Sequence, residues 1–164
     1  MYICATDPIK MRTKYLDLYK ADSTTKIDLP LADGGISAGF PSPAQDYIDL
    51  QLDLNKELIR NPSSTFFGRV KGNSMQDAGI EDGDLLVIDK SLEPKDGDTA
   101  VCFLDGEFTL KYIRMRSEAS GKKTVWLEPA NPAYKPIPIN ENNQFCIWGI
   151  VVYSIKQHHH KKTP

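Results

Sequence analysis

The chain has no histidine before position 158; its three histidines stand together as His158, His159 and His160 and are followed by Lys-Lys-Thr-Pro. A solvated terminal tail does not deliver an imidazole to an interior cleft, so this distribution argues against Ser-His-Asp and Cys-His catalysis. Cysteine is also scarce. Cys4, Cys102 and Cys146 are an odd number at wide spacing with no Cys-x-x-Cys pair, which indicates neither a disulfide framework nor a zinc site. No apolar run is long enough to span a membrane or to serve as a signal peptide, so a cytoplasmic protein with no membrane partner is expected. An excess of positive charge is missing too. Twenty Lys and Arg against 22 Asp and Glu leave a net charge of −2, which argues against a phosphate-tracking surface and direct sequence-specific DNA binding.

What remains is an ordinary globular composition, 40% hydrophobic and 26% charged over 164 residues, enough for one compact domain and an arm. The stretch before residue 38 is the least regular. "DPIKMRTKYLDLYK" is expected to form a short helix with Pro8 near its first turn, the polar "ADSTTKIDLPLADGGISAG" follows, and the two together read as an arm poorly packed by itself. "DYIDLQLDLNKELIRNP" (46–62) is mixed: apolar positions 48, 50, 52 and 54 alternate as in a strand, whereas 54, 58 and 59 follow a helix. From Thr65 the pattern is β. "TFFGRVKG", "GDLLVID", "GDTAVCFL", "EFTLKYIRM", "KTVWLEPA" and "FCIWGIVVYSI" are short strands punctuated by Gly and Pro. The expected fold is therefore mostly β, a small barrel-like folded sheet with an extended N-terminal arm, without internal repeats.

Two residues carry candidate chemistry. Ser74 follows a strand and a glycine in "VKGNSMQDAG"; a turn there projects its Oγ out of the sheet, and the backbone N–H groups of Asn73 and Ser74 can converge on an oxyanion. Taken alone, the simpler reading of Ser74 is an N-cap for a one-turn helix. Without histidine, a serine can be activated by a lysine whose burial lowers its pKa. The Asp105-Gly106 pair is the strongest hairpin signal in the chain, and a two-residue turn pairs Leu104 with Glu107, Phe103 with Phe108 and Ala100 with Lys111. Lys111 then sits mid-strand opposite a small residue. Taken alone, it too has a simpler reading, as a lysine on a solvated face. The acidic Gly turns "EDGD" (81–84) and "KDGD" (95–98) precede strands and read as turns rather than calcium loops, so no metal and no cofactor are assigned.

"GNSMQDAGIEDGDLLVID" followed by "GDTAVCFLDGEFTLKYI" resembles the self-cleaving serine peptidase domain of the LexA/UmuD-type family. In that family a Ser in a G-x-S-M motif and a Lys in an E-F-T-x-K motif form a dyad, and the matching positions are Ser74 as nucleophile and Lys111 as general base, with Asn73 and Ser74 amides as oxyanion hole. "AGFPSPAQDYIDLQLDLNKELI" is similar to the UmuD branch, where the bond before Gly-Phe-Pro-Ser-Pro is cut, so Ala38-Gly39 matches the cleavage site. The resemblance runs from Gly35 to Lys156. It leaves residues 1–34 and the tail "QHHHKKTP" unmatched.

It implies an arm (1–38) removed by self-cleavage, a peptidase and dimerisation domain (39–156) and a flexible tail (157–164). It further implies a homodimer, a RecA filament on single-stranded DNA as activator, and a shortened product that joins a UmuC-type catalytic subunit of an error-prone translesion polymerase in the SOS response. A LexA- or phage-type repressor is the nearest alternative within the same chemistry, but about 38 residues are too few for a DNA-binding head with its own core. A signal peptidase also uses Ser and Lys, and lacks support here for want of an apolar anchor. A catalytically inactive dimeric scaffold for a polymerase is the alternative from a different class.

Overall fold

From Thr65 onward β-branched and aromatic residues recur at the alternating spacing that suits a pleated, half-buried surface, and almost all of them enter one sheet. The computed structural model of the chain describes residues 10–12, 16–21, 24, 28–31, 50–117, 119, 121 and 123–158. Ala38 and Gly39 lie outside the described residues, as do His159 and His160.

The described elements are β1 (Lys10–Arg12), β2 (Leu16–Lys20), β3 (Asp28–Leu31), β4 (Leu50–Asp53), α1 (Leu54–Leu58), β5 (Thr65–Val70), a 3-10 turn (Gln76–Ala78), β6 (Leu85–Asp89), β7 (Thr99–Leu104), β8 (Glu107–Ser117), β9 (Lys123–Glu128), β10 (Ile137–Ile139) and β11 (Phe145–Ile155). Nine strands form an antiparallel sheet in the order β1-β2-β5-β6-β11-β7-β8-β9-β10, and β3 pairs with β4 as a separate two-stranded ribbon. This is the mostly β, folded-sheet architecture expected from the sequence. Among the described residues no helix is long and apolar enough to cross a membrane.

The β7–β8 hairpin has the register expected of Asp105-Gly106, with Leu104 opposite Glu107 and Ala100 opposite Lys111. Both turn residues take positive φ, 48° and 93°, as a two-residue turn matched to strand twist requires. The mixed segment 50–58 is a strand that passes into one helical turn, with Asp53 as N-cap accepting the Asn55 N–H at 3.0 Å.

Burial lies on both faces of the sheet. Leu86, Ile88, Val101, Phe108, Leu110 and Trp148 pack in one cluster, and Ala100, Cys102, Ile113, Leu127, Ile147 and Ile150 in another. Trp148 is fully buried, edge-on to Phe66 at 5.0 Å and to Phe108 at 5.6 Å between centroids, the offset geometry that aromatic quadrupoles favour. β11 runs through the centre and slips register twice, between Ile147 and Gly149 against β7 and between Val151 and Tyr153 against β6. Such bulges add local bend and twist, which folds the sheet.

One expectation is corrected. "DPIKMRTKYLDLYK" does not form a helix; its described residues form β1 and β2. Leu16 and Leu18 alternate with Asp17 and are 1% and 0% exposed, a period of two that fits a strand over the apolar face of β5 and no helical stripe. Leu16 and Leu18 of the arm therefore enter the core by packing on the body. β10 was not anticipated. It is three residues, Ile-Pro-Ile, at the edge of the sheet, where a proline costs no ladder hydrogen bond.

At Gly149 an added Cβ would stand 2.6 Å from Ile88 Cγ2. Gly149→Ala is expected to lower stability by about 1–3 kcal/mol, seen as a lower denaturant midpoint with unchanged slope. An unaltered midpoint would show that β6 yields at the bulge.

Candidate active site

The chain leaves β5 at Val70 and turns sharply. Gly72 adopts φ +92° and its N–H donates to Asp82 Oδ1 at 2.7 Å. Met75 and Ile80 then plunge into the core, 2% and 6% exposed, and the short turn between them closes on Gly79. Ser74 stands at the crest. The N-cap position of the turn belongs to Met75, with no side-chain cap hydrogen bond, so capping is not what Ser74 does. The EDGD segment serves this turn: Asp84 accepts the Glu81 N–H at 2.9 Å, while Val70 N–H donates to Asp84 O and Gly83 N–H to Val70 O. In KDGD, Asp98 likewise accepts the Lys95 N–H.

Lys111 lies mid-strand in β8 and is 7% exposed, which removes the solvated reading. Its Nζ is 2.7 Å from Ser74 Oγ, 2.8 Å from Leu110 O and 3.1 Å from Thr109 Oγ1. Among the described residues no carboxylate pairs with it. Burial pushes its pKa down from 10.5 to about 8, with the neighbouring Cys102 sulfur acting weakly the other way. Cys102 itself is pushed up to about 12 by burial, so it stays a thiol and adds no anion to the site. The pair is a hydroxyl in contact with an amine that loses its proton near neutral pH. Such a pair can generate a serine alkoxide without an imidazole. His158 is exposed and follows β11, and it is not among the residues that line this site.

The backbone around Ser74 is held by a loop that sequence inspection passed over. Asn131 Nδ2 donates to Asn73 O at 3.0 Å, Asn131 N–H donates to Ser74 O at 3.0 Å, and Tyr134 Oη donates to Asn73 Oδ1 at 2.6 Å. The only sequence signal was an Asn-Pro turn, which marks a loop but not its partner. Both carbonyls, of Asn73 and of Ser74, are thereby engaged from this side.

A cleft of about 330 Å³ opens beside the pair, lined among others by Val70, Leu104, Phe108, Tyr134 and Ile137. β8 pairs with β7 over residues 107–112 but with β9 only from Tyr112 onward. Along residues 107–111 one edge of β8 therefore has no strand neighbour among the described residues. An extended peptide can add there as a further strand. Also among the described residues, no group of three or more His, Cys, Asp or Glu is placed to hold a metal ion.

The family described as Peptidase S24-like matches residues 30–152. The chain is 38% identical over 147 residues to Protein MucA of Salmonella typhimurium, covering 87% of this chain and 95% of that protein. It is 43% identical over 122 residues to Protein SamA of Salmonella typhimurium strain LT2, covering 74% and 81%. Against the LexA repressor of Acidithiobacillus ferrooxidans it is 38% identical over 133 residues, covering 79% of this chain and 62% of the repressor.

Burial of Lys111 has a measurable cost. Between about pH 8 and 10.5 the folded chain has released the Lys111 proton while the unfolded chain still holds it, so its stability rises with pH across that window and is lost as pH falls through 8. Measured against Lys111→Met, wild type is expected to gain up to about 3 kcal/mol from pH 7 to 11. A difference in unfolding free energy that stays constant over this range would contradict a desolvated Lys111.

Proposed function

The chain belongs to the Peptidase S24-like family, and from that membership and the contact of Lys111 with Ser74 we propose that it is a self-cleaving serine peptidase that cuts its own Ala38–Gly39 bond. The observation that carries this reading is the buried Lys111 Nζ, 2.7 Å from Ser74 Oγ in an open cleft.

The steps follow from the groups present. Neutral Lys111 takes the proton of Ser74 as Oγ attacks the carbonyl carbon of Ala38, and the N–H groups of Asn73 and Ser74 stabilise the oxyanion that forms. The intermediate collapses as the Lys111 ammonium gives its proton to the departing amine of Gly39, leaving Ala38 esterified to Ser74. Water, deprotonated by Lys111, then hydrolyses the ester, which completes the cut between residues 1–38 and the rest of the chain. The segment 32–49, which contains the scissile bond, joins β3 to β4, and these are paired with Leu31 opposite Leu50. Its ends are tied together, so the bond is always at high effective concentration near the body. Small residues around the bond suit a narrow cleft, and Pro41 keeps the following chain out of a helix.

An attached substrate demands control. Control requires either that the segment spend most of its time undocked or that Lys111 stay protonated, and an activator that binds the docked arrangement more tightly would shift that balance. The UmuD-like resemblance supplies the biological setting: a cytoplasmic homodimer, stimulated by a RecA filament on single-stranded DNA in the SOS response, whose shortened form serves the catalytic subunit of a translesion polymerase. The kinship with Protein MucA and Protein SamA supports this setting over that of a repressor.

Intact-mass spectrometry after alkaline incubation, and separately with RecA, single-stranded DNA and nucleotide, is expected to show a product beginning at Gly39. Ser74→Ala and Lys111→Ala should lose it by several orders of magnitude in rate. With Lys111 titrating at about 8, spontaneous cleavage should rise roughly tenfold from pH 7 to 9 and then level off. A rate flat over that interval would rule out Lys111 as the base.

A further inference from the structure

Leu16 and Leu18 are part of the core, yet they lie in the segment that the proposed cut would separate. β2 pairs with β5 at five positions, from Leu16 opposite Val70 to Lys20 opposite Phe66, and the Ala21 N–H donates to Thr65 O at 3.2 Å. The surface beneath is shaped for the two leucines. At Gly68 an added Cβ would meet Leu18 Cδ2 at 3.3 Å and Leu16 Cδ1 at 3.4 Å, with Ile88 Cδ1 3.0 Å away. Only a residue without a side chain leaves that socket open. Outside it, Lys71 Nζ meets Asp17 Oδ1 at 2.8 Å. β3, also in the separated segment, pairs with β4 over four positions.

We propose that the β5 edge is a strand-accepting site that keeps residues 16–20 seated after the chain is cut, so that the cut protein is a non-covalent complex of residues 1–38 with residues 39–164. The inference rests on the proposed self-cleavage only for where the natural cut falls. A break in the 32–49 segment removes none of the β2–β5 or β3–β4 pairs. Departure of β2 would leave an unpaired strand edge beside the apolar side chains of Phe66, Val70 and Ile88, an arrangement that invites pairing with another strand. The best-fitted occupant is the one already there, with leucines two residues apart and an acidic residue between them facing Lys71.

The test does not need the chain to cut itself. In full-length Ser74→Ala protein, residues 32–37 are replaced by the recognition sequence of a site-specific endoprotease, the chain is cut to completion, and size exclusion and native mass spectrometry are run at about 10 µM. Both pieces should travel together, with one mass equal to the uncut chain plus one water. Leu18→Ala in the same background should weaken retention at least about 30-fold. Where that variant does not fold, an excess of synthetic peptide spanning residues 10–21 should displace the N-terminal piece from the unsubstituted cut protein.

The proposal is overturned by an N-terminal piece that separates while Trp148 fluorescence stays native, or by bodies that pair with each other in its place. Retention unchanged by Leu18→Ala, or no displacement by excess peptide, overturns it equally. Failure of self-cleavage in wild type would instead bear on the proposed function and leave this result standing.

Discussion

The site depends on one amine kept out of water beside one hydroxyl. A lysine at a surface would be an ammonium at neutral pH and no base at all; a lysine buried next to a carboxylate would be held in its charged form more firmly still. Lys111 avoids both. It is inserted mid-strand opposite Ala100, whose small side chain leaves room for it, and its hydrogen-bond partners are a carbonyl and two hydroxyls. These accept from Nζ without contributing a full negative charge, so burial dominates its titration. The same arrangement opposes folding at neutral pH, a cost that a purely structural position would have no cause to retain.

The serine must meet that amine to within a few tenths of an ångström, although the two lie on elements four steps apart in the sheet. From β5, which leads into the Ser74 turn, the ladder passes through β6, β11 and β7 to β8. The distance between Oγ and Nζ is therefore set by the whole width of the central sheet and by the packing of Trp148 against Phe66 on β5 and Phe108 on β8. The turn itself is fixed from two sides, by Met75 and Ile80 in the core and by Asn131 and Tyr134 on the backbone and side chain of Asn73. A residue on a turn gains exposure, and here anchoring on two sides supplies the precision that turns lack by themselves.

Most of the central sheet was legible because its signals are local. Asp105-Gly106 sets the register of the hairpin, and that register alone puts Lys111 opposite Ala100. Ser74 and Lys111 were identifiable as a pair only through the family motifs; taken singly, each had a plainer explanation, and it took their contact and the burial of Lys111 to displace both. The parts that were missed depend on tertiary partners. Leu16 and Leu18 form too short a pattern to outweigh the helix start implied by Pro8, and what makes them a strand is the opening at Gly68, far along the chain. Asn131 and Tyr134 looked like ordinary turn residues because their role is defined entirely by Asn73.

The proposed placement of the scissile bond in the segment between β3 and β4 would separate chemistry from disassembly. Hydrolysis there would change connectivity while removing none of the β2–β5 or β3–β4 pairs. A partner that needs the surface under β2 gains nothing from the cut itself; it gains because an intramolecular competitor has become a dissociable one. While β2 is tethered, its effective concentration at β5 is set by the linker, and after the cut it falls to the concentration of free peptide in solution. On this account proteolysis acts as a licence for exchange at the sheet edge, and the pairing of β2 with β5 sets how quickly that licence is used.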